Sequence, residues 1–247
     1  MIKDVEFFIK RIFFSESYLL KKRILRAINK NYEKELKIVE RYSDISKDAI
    51  DIGVYRGVYS YKLAQNFRKV HAFEPNPLLY PYLEKNLKKI IKNLKLYNIA
   101  LSDSNGTGEL RLPLRSKSFF KNNIEELYKL GAATMHPNNH IDKYKKVPIK
   151  MGKLDDIIND DKIGFIKIDV EGHEKNVLLG GRSIINRDKP VLLIEIEERH
   201  TKIPIKETIN FIKDLNYNCY YFSENELKDI QNFDQTNFEN NFIFLPK

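Results

Sequence analysis

One stretch of the chain changes from an apolar strand to a polar site. From Ile163 to Glu174 it reads Ile-Gly-Phe-Ile-Lys-Ile-Asp-Val-Glu-Gly-His-Glu. The β-branched and aromatic first half is typical of a strand buried on both faces of a parallel sheet. In an extended chain, alternation would place Asp169, Glu171 and His173 on one side, at the strand end where open α/β sheets bind ligands. The simpler alternative is a solvated loop with a helix starting near His173.

Short apolar stretches and helical patterns alternate along the rest of the chain. Strands are predicted at 49–52, 70–73, 94–99, 163–168 and 190–196. Helices are predicted at 58–67, 78–91, 154–158, 174–179 and 206–215. The alternation predicts an α/β domain with a parallel sheet and right-handed crossovers. An extra strand is predicted at 108–114, and a closing strand pair at 219–222 and 242–245.

Two segments lie outside this alternation. Residues 1–42 show apolar side chains at helical spacing, which predicts an N-terminal helical extension over 1–46 before a domain at 47–247. A cap over the sheet is favoured over a basic helix on a membrane surface. Residues 115–146 have no steady period, and the stretch 111–150 that includes them has nine Lys or Arg against three Asp or Glu. Together these features predict a substrate-side insertion that binds an anionic ligand.

The composition limits the functional classes. The formal net charge is +9, from 43 Lys and Arg against 34 Asp and Glu, which is compatible with phosphate-bearing substrates, nucleic acid or an anionic membrane. No apolar run approaches the ~20 residues of a membrane span, and no signal peptide is evident, so we expect a cytoplasmic protein. The single cysteine, Cys219, excludes a disulfide framework. Pro137 between His136 and His140 argues against a zinc pair.

The first predicted strand runs into the turn Asp51-Ile-Gly-Val-Tyr-Arg-Gly, and the second ends at Glu74. Gly53 allows a ligand to approach the main chain closely, and Glu74 is placed to accept hydrogen bonds from ribose hydroxyls. The dinucleotide fingerprint needs further glycines where this chain has Tyr55 and Val58. The spacing therefore favours an adenosyl cofactor without a pyrophosphate, S-adenosylmethionine, over NAD.

Five motifs together resemble the FkbM-type methyltransferases. They are Asp51-Ile-Gly-Val-Tyr-Arg-Gly, Ala72-Phe-Glu-Pro-Asn-Pro, Asn98-Ile-Ala-Leu-Ser-Asp, Lys153-Leu-Asp-Asp-Ile and the stretch from Phe165 to Gly181. The resemblance spans residues 48–200. It implies a class I methyltransferase (Rossmann-like) fold, with a seven-stranded, mostly parallel sheet and helices on both faces. It also implies S-adenosylmethionine as donor and O-methylation, typically of sugar hydroxyls in polysaccharides, glycolipids or glycosylated metabolites. Tyr55 stands where the family commonly has Asn.

The predicted site follows from these motifs. Cofactor contacts are predicted at Asp51, Gly53, Tyr55, Gly57, Tyr59, Ser60, Glu74, Pro75, Asn76, Ala100, Leu101, Ser102 and Asp169. Substrate contacts are predicted at Arg111, Arg115, Lys117, Glu195 and His200, with the first three as phosphate ligands. His173 is the predicted general base, with Asp169 near the transferring methyl group and Glu171 orienting the imidazole or the acceptor. Lys167 is interpreted as a buried ion-pair partner.

Other chemistries stay open. Glu171 and His200 are alternative bases, and a divalent cation on Asp169, Glu171 and Glu195 is an alternative that we do not favour, so no metal ligand is predicted. The favoured acceptor is a sugar-containing small molecule, a nucleotide sugar or a glycan. An RNA 2′-O-methyltransferase is second, although the sequence has no stacking signature for RNA. Another small-molecule O-methyltransferase and an inactive adenosyl-binding or membrane-attached protein are the remaining hypotheses.

Overall fold

A central sheet of eight strands organises the chain in the computed structural model, which describes residues 14–114, 130–139, 141–233 and 239–247. The strands of this sheet and of a second, smaller sheet are, in chain order, β1 (Asp48–Ile52), β2 (Val70–Phe73), β3 (Leu94–Tyr97), β4 (Ala100–Leu101), β5 (Gly106–Pro113), β6 (Tyr144–Gly152), β7 (Ile163–Ile168), β8 (Val191–Glu195), β9 (Tyr217–Ser223), β10 (Glu226–Asp229) and β11 (Asn241–Pro246). The central order is β10-β9-β11-β8-β7-β1-β2-β3. The pairs from β8 through β3 are parallel, whereas β11 runs antiparallel to both of its neighbours. The predicted class I arrangement is confirmed, but the prediction of seven strands is wrong because β10 pairs with β9 and adds an eighth.

Helices cover both faces of this sheet. They are α1 (Glu16–Asn29), α2 (Leu36–Arg41), α3 (Val58–Asn66), α4 (Tyr80–Ile90), α5 (Leu154–Ile157), α6 (Glu174–Gly180), α7 (Arg182–Asp188), α8 (Glu198–Thr201) and α9 (Ile205–Lys213). Neighbouring strand residues point to opposite faces, so Phe165 packs in one apolar core and Ile166 in the other. The core around Phe165 includes apolar residues of α1 to α4, and the core around Ile166 includes those of α5, α6, α7 and α9. None of the helices in the described residues has the length and apolar character that a membrane crossing requires.

The N-terminal helical segment packs on the sheet domain. Ser15 caps α1 by accepting the main-chain N–H of Tyr18, and Leu20 and Ile24 on its inner face are buried. The single helix predicted through residue 42 is instead two helices in the described part, because the chain turns between α1 and α2 with Asn31 at a φ of +52°. Residues 1–13 lie outside the described residues, and the domain boundary at 46/47 stays a prediction.

A second, three-stranded sheet in the order β4-β6-β5 stands beside the first. β5 was predicted as an extra strand, whereas β6 was not. Val147 and Ile149 of β6 are buried with alternating spacing, but Pro148 between them and the surrounding lysines obscure that signal. The predicted strand 94–99 ends at Tyr97, after which the chain enters β4 and pairs with β6. Of the predicted insertion at 115–146, residues 115–129 and His140 lie outside the described residues, and with them Arg115 and Lys117.

Candidate active site at the carboxyl ends of the strands

The turn after β1 and the end of β7 are in direct contact. The N–H of Asp169 donates to the carbonyl of Ile52 at 3.0 Å. Gly53 has a φ of +85°, and a Cβ on it would lie 1.8 Å from the carbonyl oxygen of Asp169. A side chain at position 53 would therefore both strain the turn and push Asp169 away. The glycine fixes the distance between two strands that carry polar groups.

Glu74 is a buried carboxylate at the end of β2. Its two oxygens accept the main-chain N–H groups of Tyr55 at 3.1 Å and Asn76 at 3.0 Å. Burial raises its pKa to about 7 even though both hydrogen bonds favour the charged form. Each oxygen keeps a further acceptor direction, so a fixed carboxylate is available to two hydroxyl donors.

These elements line a first cleft. Of the predicted cofactor residues, those in its wall are Gly53, Tyr55, Glu74, Pro75, Ala100, Leu101 and Asp169. The others, which do not line it, are Asp51, Gly57, Tyr59, Ser60, Asn76 and Ser102. The apolar wall contributed by Leu110, Gly131, Ala133 and Met135 was not predicted from the sequence. Leu110 lies on β5, whereas the other three belong to the aperiodic insertion, and only that aperiodic character indicated a role for them.

A buried lysine lies behind the cleft. The Nζ of Lys167 donates to the carbonyl of Gly53 at 3.0 Å and to Oδ2 of Asp169 at 3.2 Å, and lies 3.9 Å from Oδ1 of Asp51. Burial acts to lower the pKa of this ammonium, but Asp169 and Asp51 outweigh it and the pKa is raised. The predicted ion-pair role of Lys167 is confirmed.

Carboxylates outnumber this lysine. Asp51 is fully buried and accepts the hydroxyl of Ser60, yet within the described residues its Oδ1 has no hydrogen-bond donor. Burial raises the pKa of Asp51 and of Glu33, and burial together with the charge of Asp169 raises that of Glu195. These carboxyl groups and that of Asp169 all lie near the ammonium of Lys167, so a cationic ligand would be favoured there.

The predicted alternation of Asp169, Glu171 and His173 is wrong. Glu171 has a φ of +56° and Gly172 one of +107°, so the chain turns sharply instead of continuing extended. Glu171 Oε2 therefore lies 2.8 Å from Nε2 of His200, and not on His173. His173 Nε2 lies 3.0 Å from Oγ of Ser102, and His173 precedes α6 as its N-cap residue. Both Glu171 and His173 still line the first cleft.

The imidazole of His173 is neutral near pH 7. Burial lowers its pKa from the ordinary value, and the nearby Asp103 only partly opposes the effect. A neutral imidazole can accept a proton, as the predicted base must. Its hydrogen bond with Ser102 occupies Nε2, so either that bond opens or Nδ1 acts.

The predicted phosphate ligand Arg111 holds a loop instead of lining a cleft. Its main chain pairs with Thr134 in both directions, at 2.9 and 3.1 Å. Its guanidinium donates to the carbonyl of His136 and lies 5.3 Å from the centre of the Tyr144 ring. Thr134 in turn donates its hydroxyl to the carbonyl of Glu171 at 2.7 Å. Arg111 thus fixes residues 130–139 over the first cleft.

A second cleft of about 1380 Å³ adjoins the first and shares Gly53, Tyr55 and Asp169 with it. It lies between α1 with its following loop and the ends of β1, β7 and β8. The predicted substrate residue Glu195 lines this cleft, as does Tyr59, whereas His200 lines neither. Asp169 is therefore the carboxylate common to both walls.

One further group of possible metal ligands occurs among the described residues. Asp48, His71 and Asp161 bring their ligand atoms within 4.8 Å of one another. Arg68 donates to Asp48 at 2.7 Å and to Asp161 at 2.9 Å, so the carboxylates already hold a cation. Asp48 is the first residue of β1 and lies at the end of the strand opposite the clefts, so this group is not part of the site.

Comparison with known proteins identifies the family. The model of the FkbM methyltransferase domain matches residues 51–219, which is more than half of the chain. The chain belongs to the FkbM methyltransferase family. No curated protein matches it.

Solved structures confirm the fold. An FkbM methyltransferase from Methylobacillus flagellatus KT is 19% identical with a TM-score of 0.51, over 80% of this chain and 43% of that one. The present chain thus spans less than half of that protein. An rRNA methylase from Streptococcus thermophilus is 14% identical with a TM-score of 0.50, over 87% of this chain and 95% of that one. SMU.1697c from Streptococcus mutans, solved in complex with SAH, is 13% identical with a TM-score of 0.50, over 87% and 96%.

S-adenosylmethionine fits the residues of the first cleft. Gly53 leaves a cradle that a Cβ would fill, and Glu74 offers a fixed acceptor for hydroxyls. The carboxylate of Asp169 in the wall of the cleft suits a ligand that carries a sulfonium and an ammonium. The family and this donor set agree on S-adenosylmethionine as the cofactor of the domain.

Proposed function

We propose that this chain is an O-methyltransferase that methylates a hydroxyl of a sugar-containing small molecule or glycan. The shared position of Asp169 in the walls of two clefts supports this function most directly. A donor in the first cleft and an acceptor in the second would meet beside one carboxylate. The bound cofactor supplies a methyl group on a positively charged sulfur, which an acceptor oxygen takes in an in-line displacement. The enzyme's contribution is then to align the two molecules and to exclude water.

The first cleft supplies the donor contacts. Glu74 would accept the ribose hydroxyls, and Gly53 would allow the methionine part to lie against the main chain. The apolar surface of Pro75, Ala100 and Leu101 would pack on the adenine ring. Residues 130–139, which Arg111 and Thr134 hold in place, would cover the donor.

The second cleft has the chemistry of a sugar site. Carboxylates such as Glu33 and Glu195 accept hydrogen bonds from hydroxyls, and Asn241 can donate as well as accept. The rings of Tyr32 and Tyr59 offer apolar faces to the C–H groups of a sugar ring. A purely hydrophobic acceptor fits less well, because seven Arg, Lys, Asp or Glu side chains of the described residues line this cleft, namely Arg23, Arg26, Glu33, Arg56, Lys167, Asp169 and Glu195.

Proton removal from the acceptor is assigned to His173 as a proposal. His173 lines the first cleft and not the second, so the acceptor hydroxyl would reach past Asp169 toward the transferring methyl group, where His173 takes its proton. Replacing His173 with Ala is expected to lower kcat by about 10²-fold, the usual contribution of a positioned base, while the affinity for SAH stays unchanged. His200→Ala is the matched variant, because the buried pair of His200 and Glu171 is the rival base. A His173→Ala enzyme with normal kcat and a His200→Ala enzyme without activity would transfer the role to that pair.

RNA 2′-O-methylation is the second candidate. The net charge of +9 favours it, since a polyphosphate is attracted to a basic protein. The carboxylate of Asp169, where the two clefts meet, opposes it, because a ribose hydroxyl of RNA would bring its neighbouring phosphates close to that carboxylate. The sugar acceptor is therefore preferred.

An acceptor panel distinguishes these functions. The full chain is incubated with S-adenosylmethionine labelled in the methyl group and with nucleotide sugars, sugar phosphates, neutral oligosaccharides, polysaccharides and structured RNA. Label in a sugar product, with release of SAH, is the expected result. Label in RNA alone would reject the sugar assignment in favour of the second candidate.

A further inference from the structure

The second cleft has a basic rim above its acidic floor. Arg23 and Arg26 line it from α1, and Arg56 lines it from the turn after Gly53. Arg23 and Arg26 are three residues apart and so share one face of the helix. Arg26 and Arg56 are exposed, and Arg23 is half-buried. Three arginines from two distant segments of the chain thus line one cleft.

The floor and the rim differ in what they can bind. On the floor, Lys167 is already engaged by Asp51 and Asp169, and Glu33 and Glu195 add carboxyl oxygens that accept hydrogen bonds. An anion would be repelled there, whereas neutral hydroxyls would be bound. On the rim, guanidinium forks match the planar oxygen pairs of phosphate and carboxylate. A ligand that satisfies both has a sugar at one end and an oxyanion at the other.

Arg56 connects the rim to the donor cleft. Its guanidinium carbon lies 4.9 Å from the centre of the Tyr55 ring, and Tyr55 lines both clefts. Stacking on the ring restrains the direction of the guanidinium without using its outward hydrogen-bond donors. The contact places one arginine at the boundary between donor and acceptor.

We propose that Arg23, Arg26 and Arg56 form an oxyanion subsite, which binds a phosphate or carboxylate group carried by the sugar acceptor. The inference rests on the proposed function and narrows its substrate class to anionic sugars. It also replaces Arg111 as the predicted phosphate ligand and gives α1 a part in substrate recognition.

The test uses pyrophosphate as the phosphate probe and glucuronate as the carboxylate probe. Each is titrated by calorimetry at low salt into the full chain saturated with SAH. The variants are R26Q, R56Q and the triple change R23Q/R26Q/R56Q. K21Q is the control, since Lys21 is exposed on α1 but turned away from Arg23 and Arg26 by the helical period. Circular dichroism verifies that each variant is folded, and SAH affinity is measured separately.

At least one probe is expected to bind the wild-type chain and K21Q equally. R26Q and R56Q should each bind that probe several-fold more weakly, and the triple variant at least tenfold more weakly. Raising the salt concentration should reduce the difference, because both arginines are exposed. The probe that responds distinguishes phosphate from carboxylate.

Three results would overturn the oxyanion subsite. They are binding of neither probe, equal binding by the wild-type and triple-variant chains, and loss of SAH affinity in R26Q or R56Q, which would mean that the arginines hold the carboxylate of the donor. The proposed function fails separately. If the arginines bind the probe but no sugar is methylated, the subsite stands and the sugar assignment falls. If only neutral sugars are methylated, and the variants do not change that activity, the sugar assignment stands and the subsite falls.

Discussion

Replacing Glu74 with Gln should weaken cofactor binding with little change in the shape of the site. The carboxylate is buried and accepts two main-chain N–H groups, from Tyr55 and Asn76. A Gln side chain has nearly the same shape but one acceptor oxygen, and its amide nitrogen cannot accept a hydrogen bond. The variant therefore loses the charge and one of the two acceptor positions proposed for the ribose.

The size of the effect follows from the kind of hydrogen bond. Bonds to a charged group contribute about 1.5–3 kcal/mol each, and an N–H left facing the new amide adds to the loss. We expect a cost of about 2–4 kcal/mol in binding, which corresponds to a dissociation constant for SAH raised by roughly 30- to 700-fold. The wild-type affinity should also fall as the pH drops below 7, because burial raises the pKa of Glu74 to about 7 and its protonated form has lost an acceptor.

Isothermal titration with SAH between pH 6 and 8 measures both effects. Glu84→Gln is the control, because Glu84 is an exposed residue of α4 that pairs with Lys88 at 3.1 Å. It should bind as the wild type does and keep the pH dependence, whereas Glu74→Gln should lose the dependence. Unchanged affinity in a folded Glu74→Gln variant would refute the assignment of Glu74 to the ribose.

Two further predictions concern the scaffold. Gly53→Ala should abolish SAH binding and lower the free energy of unfolding by roughly 2–4 kcal/mol, because the new Cβ would lie 1.8 Å from a carbonyl oxygen. Gly106→Ala is the control, since Gly106 also has a positive φ but lies in open space, and it should cost only about 1 kcal/mol in urea denaturation. Equal effects of the two would contradict the close contact. Burial raises the pKa of Glu35 to about 7, so the folded state favours the protonated carboxyl. The free energy of unfolding is therefore highest below the unfolded pKa of Glu35 and falls as pH rises through 7. Glu35→Gln should thus be more stable than the wild type at pH 8, on the order of 2 kcal/mol, and show no such gain at pH 4, where a constant difference would refute the shift.

The sheet could be predicted because its strands are local and apolar. β1, β2, β7 and β8 were each predicted within about a residue or two, since buried parallel strands are short runs of branched and aromatic residues. β10 and β6 were missed for a common reason. β10 is half-exposed and β6 carries lysines and Pro148, so neither shows an apolar run.

The details of the site depended on contacts between distant segments. The turn at Glu171 and Gly172 is a positive-φ pair that directs the carboxylate to His200, and only the glycine gave a local signal. The second cleft exists because α1 packs beside the strand ends, a contact that no local pattern encodes. Gly53 and Glu74, by contrast, were predicted to lie at the cleft because a glycine after the first strand and an acid after the second strand are a local sequence pattern.

The chemical position of the transferred methyl group tests the central claim most directly. The full chain is incubated with S-adenosylmethionine bearing a deuterated methyl group and with the acceptor found in the panel, and the purified product is examined by mass spectrometry and NMR. One labelled methyl group on a sugar oxygen, with one SAH released for each product, is the predicted result. A label on nitrogen, on carbon or on an RNA ribose, or release of SAH without a methylated sugar, would contradict it.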